Sequence, residues 1–151
     1  QSTDVREISQ FSAQYAAKTI KKPVIKTDVG YYIKSLNGFP GPFVKFVNQW
    51  LTSEEILKLM EDKKDRSIEI VECLTYCHPN GKLFQFTSTD TGKIATKARG
   101  QGSSMDRILI RDKIGKIQAL LGSQEMFDYW AKNLSHFHNL GALLKKTYLT
   151  K

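Results

Sequence analysis

The spacing of hydrophobic residues changes several times along this chain and predicts helices alternating with strands. Near the start, Ile8, Phe11 and Tyr15 recur at helical spacing and share one face of a first predicted helix. Pro23 follows closely and helps to end this helix, because proline cannot continue the helical hydrogen-bond pattern. The β-prone run PVIK comes next and predicts a short strand, with Asp28 at the strand's end.

A turn and two more helices are predicted after this strand. Residues 37–41, NGFPG, place two glycines and a proline around one aromatic residue, which is typical of a tight turn. One helical region begins near Pro42 and another near Thr52, where Thr52 and Glu55 have the spacing of a capping box. The buried stripe of the second helix is predicted to contain Ile56, Leu57 and Met60.

The middle of the chain is rich in β-branched and aromatic residues and predicts several strands. SIEIVECLTYC, residues 67–77, and LFQFTS, residues 83–88, are separated by the turn HPNGK and predict a hairpin or two neighbouring antiparallel strands. GKIATKA and DRILIRD are further strand candidates. Cys73 and Cys77 lie four residues apart on one strand face, without metal-ligand spacing, so we expect buried or half-buried free thiols.

The last third of the chain is predicted to be mostly helical. IGKIQALLG, residues 114–122, predicts a helix that ends at Gly122, and Ser123 can cap the following helix. A final helix begins near Ser135. Its predicted core stripe contains Phe137, Leu140, Leu144 and Tyr148. This order of elements predicts one mixed α/β domain over residues 1–151, with a curved, partly antiparallel sheet flanked by helices.

Composition and charge narrow the functional classes. No apolar run approaches the ~20 residues that span a bilayer, so we expect no membrane partner and a cytoplasmic protein, with an organellar interior as the alternative. The net charge of +8 favours a partner rich in phosphate, which is a nucleotide, a nucleic acid or an anionic surface. Because the basic residues are spread along the whole chain, a solvated lysine face is the other open explanation.

The most specific motif is VIKTDVGYYIKSLNGFPGPFVKFV, residues 24–47. An aspartate after a β-prone run is followed, at fixed spacing, by a Leu-x-Gly-x-Pro-Gly-Pro turn. The residues of the motif are Asp28, Leu36, Gly38, Pro40, Gly41 and Pro42. The segment resembles the inosine/xanthosine triphosphate pyrophosphatase (ITPase) family, in which a strand ends in an acidic pair before the same turn. Weaker matches at TGKIATKARG and AKNLSHF extend the resemblance over nearly the whole chain.

The resemblance implies a fold, a reaction, a cofactor and partners. The implied fold is ITPase-like and lacks the family's opening strand, because that strand and its Thr-Gly-Asn phosphate loop precede the region matched by Gln1. We expect either that the domain is N-terminally incomplete or that the protein has lost this element. The implied reaction is hydrolysis of ITP, dITP or XTP to the monophosphate and pyrophosphate. The implied cofactor is Mg²⁺, which prefers oxygen ligands and neutralises the triphosphate. The implied partners are a purine nucleoside triphosphate and a second copy of the chain in a homodimer.

Individual residues match functional positions of that family. Asp28 matches the catalytic, metal-associated aspartate, and Asp4 falls near a metal-binding glutamate. The residues that match base-recognition positions are Lys132, Ser135, His136 and Asp106. Structural interpretations stay open beside these roles, since Asp28 can cap a turn and Asp4 can begin a helix. Lys132 can equally be a solvated lysine, and His136 an ordinary histidine near a helix N-terminus.

Several family residues are replaced in this chain. Thr27 stands where an acidic residue precedes the catalytic aspartate, and Phe137 stands at the arginine of the family's Ser-His-Arg motif. Residues 103–105, Ser-Ser-Met, replace the Phe-Gly-Trp whose aromatic ring would stack on the base. The second hypothesis is therefore a catalytically degenerate ITPase-like protein. It would act as a basic RNA-binding or structural subunit of a larger assembly such as a ribosome.

Overall fold

The structure is a computed structural model and describes residues 2–148, apart from the side chain of Tyr148. This part of the chain forms five α-helices and five β-strands. In chain order they are α1 (Val5–Ile20), β1 (Val24–Ile33), β2 (Pro40–Gly41), α2 (Val44–Trp50), α3 (Ser53–Leu59), β3 (Ser67–Cys77), β4 (Leu83–Ile94), β5 (Leu109–Arg111), α4 (Ser123–Asn133) and α5 (Ser135–Tyr148). Two 3₁₀ turns lie at Lys34–Leu36 and Gln118–Leu120. Within the described residues, no helix has the length and apolar character needed to cross a membrane.

The five strands form one sheet in the order β2-β1-β3-β4-β5. β1 pairs antiparallel with β2, where Tyr31 lies opposite Gly41. β4 pairs antiparallel with β5, where Gly92 lies opposite Arg111. The prediction of a mixed α/β fold with antiparallel strands is confirmed.

The chain divides into two compact units. The first unit comprises residues 1–29, 72–88 and 130–151, and the second unit comprises residues 30–71 and 89–129. In the first unit, one core cluster joins Ala13 and Ala17 of α1 to Cys77 of β3. In the second unit, the largest fully buried side chains are Ile33, Ile56, Met60, Ile70, Ile94, Met105, Ile108 and Leu109. One domain over residues 1–151 stays a prediction.

The strands follow the predicted pattern with two differences. β3 covers Ser67–Cys77, as predicted, DRILIRD contains β5, and both cysteines are buried and free. β1 continues to Ile33, because Tyr31 and Ile33 are apolar and buried, so Asp28 lies in the middle of this strand rather than at its end. GKIATKA is not a separate strand, because its first residues complete β4, which runs without a break over Leu83–Ile94.

The first helix lies where it was predicted, and its aromatic face is exposed. Its buried residues are Val5, Ser9, Ala13 and Ala17. Phe11 and Tyr15 are 72% and 67% exposed, and their rings stack with centroids 6.4 Å apart. The small side chains of the buried face let α1 lie close to β3, which explains why the larger aromatic residues point away from the core.

The predicted turn and capping box are confirmed. In the turn at residues 37–41, Gly38 and Gly41 have φ angles of 85° and 58°, a region that glycine occupies without steric cost. At the start of α3, the amide of Glu55 donates to Thr52 Oγ1, and the Glu55 carboxylate accepts from the amide of Thr52. Of the predicted stripe in this helix, Ile56 and Met60 are fully buried and Leu57 is half-buried.

The prediction of a helix over residues 114–122 is wrong. This segment forms only the 3₁₀ turn Gln118–Leu120, after which Leu121 is extended. Two tertiary contacts hold it in this conformation: the Arg111 guanidinium donates to the Gln118 side chain, and the Ala119 amide donates to the carbonyl of Asp106. Such contacts with residues outside the segment override helix propensity.

The last two helices agree with the prediction in position. Ser123 is the first residue of α4 rather than the residue before it, and α5 begins at Ser135. In the predicted core stripe of α5, Leu140 is buried and Leu144 is half-buried, whereas Phe137 is 47% exposed. The side chain of Tyr148 lies outside the described part of the chain.

Candidate active site

The two carboxylate oxygens of Asp28 differ in their hydrogen bonding. Side chains two residues apart on a strand share a face, and Lys26 Nζ accordingly donates to Asp28 Oδ1 at 3.0 Å. Asp28 Oδ2 is buried and has no hydrogen-bond partner among the described residues. A buried polar atom without a partner costs about 1–3 kcal/mol. A partner for this oxygen would have to come from outside the described residues, as a water or an ion.

Asp4 begins the first helix. Its Oδ1 accepts a hydrogen bond of 2.8 Å from the amide of Arg6, which makes it the N-cap of α1. The Arg6 guanidinium lies 3.4 Å from the same oxygen. These contacts give Asp4 a structural role, and metal binding by Asp4 stays a prediction.

The residues around Asp28 can be compared with what a magnesium ion requires. Mg²⁺ is commonly held by one or two carboxylates, while substrate phosphates and water complete its coordination. No group of three or more His, Cys, Asp or Glu side chains in the described residues could hold a metal by itself. The unpartnered oxygen of Asp28 is a hard donor of the required type. Asp28 thus fits an ion that is bound mainly through the substrate.

A buried polar network supports the strand that carries Asp28. The hydroxyls of Ser9 on α1 and Thr75 on β3 lie 2.9 Å apart, and both residues are fully buried. Ser9 Oγ also donates to the carbonyl of Lys26 at 3.3 Å, and Gln85 Nε2 donates to Thr75 Oγ1 at 2.9 Å. Close to this network, burial raises the pKa of the Cys73 thiol, which keeps it protonated. The network fixes α1, β1, β3 and β4 of the first unit together.

Three matched base-recognition residues lie together at the junction of α4 and α5, with unequal exposure. Lys132, near the end of α4, and Ser135, the first residue of α5, are exposed. His136 is only 2% exposed. Its Nδ1 lies 2.7 Å from Ser88 Oγ, and its Nε2 lies 4.0 Å from Glu72 Oε2. Burial lowers the pKa of the His136 imidazole, which favours the neutral ring.

Asp106 belongs to the second unit and is held by its own neighbours there. Asp106 Oδ1 accepts a 2.7 Å hydrogen bond from Gln118 Nε2, and Oδ2 accepts one of 3.3 Å from the amide of Ser103. Gln118 in turn accepts from Arg111 Nε at 2.8 Å. Met105, which the sequence resemblance aligns with the family's stacking aromatic, is fully buried.

The six predicted site residues therefore divide between the units. Asp4, Asp28, Lys132, Ser135 and His136 lie in the first unit, and Asp106 lies in the second. Sequence reasoning missed Lys26, Glu72, Ser88 and Gln118. The spacing of Lys26 and Asp28 on one strand could have signalled their pairing, whereas Ser88 and His136 are 48 residues apart and carry no such signal. The second unit also contains a cleft of about 370 Å³ beside Asn37 and Gly38, and none of the six residues lines it.

The fold, with Asp28 on the strand β1 that precedes the Gly-Pro turn in the chain, is that of a mixed α/β protein. Residues 1–133 match the family model described as the Ham1 family. The chain therefore belongs to the Ham1 family, which confirms the resemblance found in its sequence.

Curated relatives and solved structures agree with this assignment. The dITP/XTP pyrophosphatase of Methanopyrus kandleri is 38% identical over 126 residues, which cover 83% of this chain and 67% of that protein. The dITP/XTP pyrophosphatase of Methanosarcina mazei is 40% identical over 102 residues, 68% of this chain and 55% of that protein. The chain thus matches about half to two thirds of the length of these relatives. The Staphylococcus aureus Ham1 protein has the same fold, with a TM-score of 0.82 at 23% identity over 97% of this chain and 79% of that chain.

Proposed function

We propose that the protein is a Mg²⁺-dependent nucleoside triphosphate pyrophosphatase that acts on ITP, dITP and XTP. The observation that carries this proposal is Asp28 Oδ2, a buried carboxylate oxygen without a hydrogen-bond partner among the described residues. The relatives in Methanopyrus kandleri and Methanosarcina mazei are dITP/XTP pyrophosphatases, which supports the substrate class. The homodimer and the cytoplasmic location belong to the same proposal, and the homodimer rests on the family resemblance alone.

The proposed roles follow from the chemistry of each group. Asp28 orients the attacking water or takes its proton, for which a carboxylate within reach of the water suffices. Lys132 and Ser135 are exposed and carry hydrogen-bond donors suited to the 6-oxo group of a deaminated purine. When bound, Mg²⁺ would neutralise the negative charge of the triphosphate. The monophosphate and pyrophosphate are then released.

Pyrophosphate release from ITP, XTP and ATP, with Mg²⁺ and with a chelator, tests the proposal. We expect release from ITP and XTP only with the metal. Asp28→Asn should lower kcat by about 10²–10⁴, the usual contribution of a general base. Asp62→Asn, at an exposed aspartate, is the matched control and should retain full activity. Wild-type turnover in Asp28→Asn would exclude the proposed mechanism.

A second candidate function is a catalytically degenerate protein that binds RNA or stabilises a larger assembly. One observation favours it: Met105 is fully buried and offers no exposed surface on which a purine base could stack. The net charge of +8 suits a polyanionic partner. Binding of a single-stranded RNA that weakens steeply with salt, with no pyrophosphate release from any triphosphate, would support this alternative over the enzyme.

A further inference from the structure

Lys26 is held beside Asp28 by two hydrogen bonds from its ammonium group. Lys26 Nζ donates to Asp28 Oδ1 at 3.0 Å and to the carbonyl of Thr27 at 2.9 Å. The carbonyl of Lys26 itself accepts from Ser9 Oγ at 3.3 Å, as part of the buried network that joins α1 to β3. The backbone of the lysine is therefore fixed by α1, and its ammonium group by the next two residues of the strand.

The same ammonium group makes the two oxygens of the Asp28 carboxylate unequal. Oδ1 faces the positive charge, whereas Oδ2 is buried and has no hydrogen-bond partner among the described residues. The Lys26 and Asp28 side chains are 38% and 24% exposed, so solvent screens the ion pair and its contribution to stability is small. Its more specific effect is on geometry, because a hydrogen bond to one oxygen of a carboxylate fixes the direction in which the other oxygen points.

We propose that Lys26 is a positioning residue, which holds Asp28 by Oδ1 and leaves Oδ2 as the single oxygen for the metal ion or the attacking water. This inference rests on the proposed function. A catalytic carboxylate needs such support, because a displacement of about 1 Å can lower the rate about 10²-fold. The ammonium group also has an opposing effect, since a positive charge beside a carboxylate repels a cation bound to the same carboxylate.

These two effects predict opposite changes when the lysine charge is removed. In Lys26→Met, which keeps an unbranched side chain, the Asp28 carboxylate loses its support, and kcat for ITP should fall about ten- to hundredfold. The metal ion should nevertheless bind about two- to fivefold more tightly, the scale of one partly exposed ion pair. Lys26→Arg keeps the charge and should stay close to the wild type in metal affinity. Lys22→Met, which removes an exposed charge of the first unit outside this pair, is the matched control.

Metal affinity can be measured apart from activity by electron paramagnetic resonance, with Mn²⁺ in place of Mg²⁺, since both ions suit carboxylate ligands. The titrations are made with and without the α,β-methylene analogue of ITP, which cannot be cleaved between its first two phosphates. Misfolding of a variant would lower the number of sites and not raise the affinity of each one. In the Asp28→Asn background, Lys26→Met should no longer change Mn²⁺ affinity, because the two substitutions act on one pair.

The outcomes separate this inference from the proposed function. Unchanged or weaker Mn²⁺ binding in Lys26→Met would overturn the inference, as would a kcat equal to or above that of the wild type. If Lys26→Met tightens Mn²⁺ binding as expected but the wild type does not hydrolyse ITP, only the enzyme proposal fails. If the wild type hydrolyses ITP and Lys26→Met matches it in both measurements, only the inference fails. If the wild type binds no Mn²⁺ even with the nucleotide analogue, both fail.

Discussion

Arg111 Nη1 lies 3.0 Å from Asp90 Oδ2 in the interior of the second unit, where the Arg111 side chain is 3% exposed and that of Asp90 is 11% exposed. The Tyr129 hydroxyl also donates to Asp90 Oδ2, and Arg111 Nε donates to Gln118 Oε1. Burial alone would raise the pKa of the Asp90 carboxyl, but the hydrogen bonds from Tyr129 and Arg111 and the nearby positive charges outweigh it and lower the pKa. The pair is therefore ionised and largely enclosed at neutral pH.

Arg111→Ala should destabilise the protein by about 3–5 kcal/mol, because it leaves the Asp90 charge buried without its main partner. Urea unfolding at neutral pH measures the loss. Lys113 lies 3.7 Å from the same carboxylate but is 54% exposed, so Lys113→Ala should cost less than about 1 kcal/mol. If the two variants lost similar amounts of unfolding free energy, the burial of the Arg111–Asp90 pair would not explain its contribution to stability.

The buried imidazole of His136 predicts an acid-side loss of stability. Burial lowers the pKa of His136 from its ordinary value of 6.5, so the unfolded chain binds the proton more readily than the folded one. The stabilising contribution of the neutral ring is present above pH 6.5 and is lost as the pH falls through the lowered pKa of the folded state. His136→Gln cannot gain this proton. The stability difference between wild type and variant, from urea unfolding, should therefore shrink between pH 7.5 and 5, and a constant difference would contradict the prediction.

The capping box at the start of α3 should have a measurable effect. Thr52→Ala removes the acceptor of the Glu55 amide, 3.2 Å away, and should cost about 1 kcal/mol. Thr52→Ser keeps the hydroxyl and should behave nearly as the wild type. Thermal unfolding of the three proteins side by side measures the effect, and equal losses in the two variants would show that the methyl group, not the hydrogen bond, is responsible.

Local patterns were enough to predict much of the fold. The run of β-branched and aromatic residues in β3 is bounded by polar turn residues, and its limits, Ser67–Cys77, were predicted to the residue. The capping box of Thr52 and Glu55 was likewise visible, because all its contacts lie within four residues. The segment 114–122 was mispredicted because its conformation depends on Arg111 and Asp106, which belong to other parts of the chain.

Some features of the candidate site could likewise be predicted from the sequence, and others depend on the tertiary structure. Asp28 could be found from the spacing of its motif, but the unpartnered state of its second oxygen depends on the three-dimensional packing around it. Ser88 carries no signal in the sequence, since its bond to His136 joins β4 to α5 across 48 residues. The burial of His136 is equally a consequence of tertiary structure.

Gly100 offers a test of how closely two loops of the second unit approach each other. Its φ of 80° suits glycine, and a Cβ atom at this position would meet the carbonyl of Ala119 closer than van der Waals contact allows. Gly100→Ala should therefore lose about 1–2 kcal/mol from backbone strain and a further 1–3 kcal/mol from overpacking. Gly81 has a φ of 88° with nothing within 4 Å of its Cβ position, so Gly81→Ala should show the strain alone. The difference between the two variants in the free energy of urea unfolding isolates the clash with Ala119. Equal losses of stability would mean that the loop containing Ala119 moves aside at no cost.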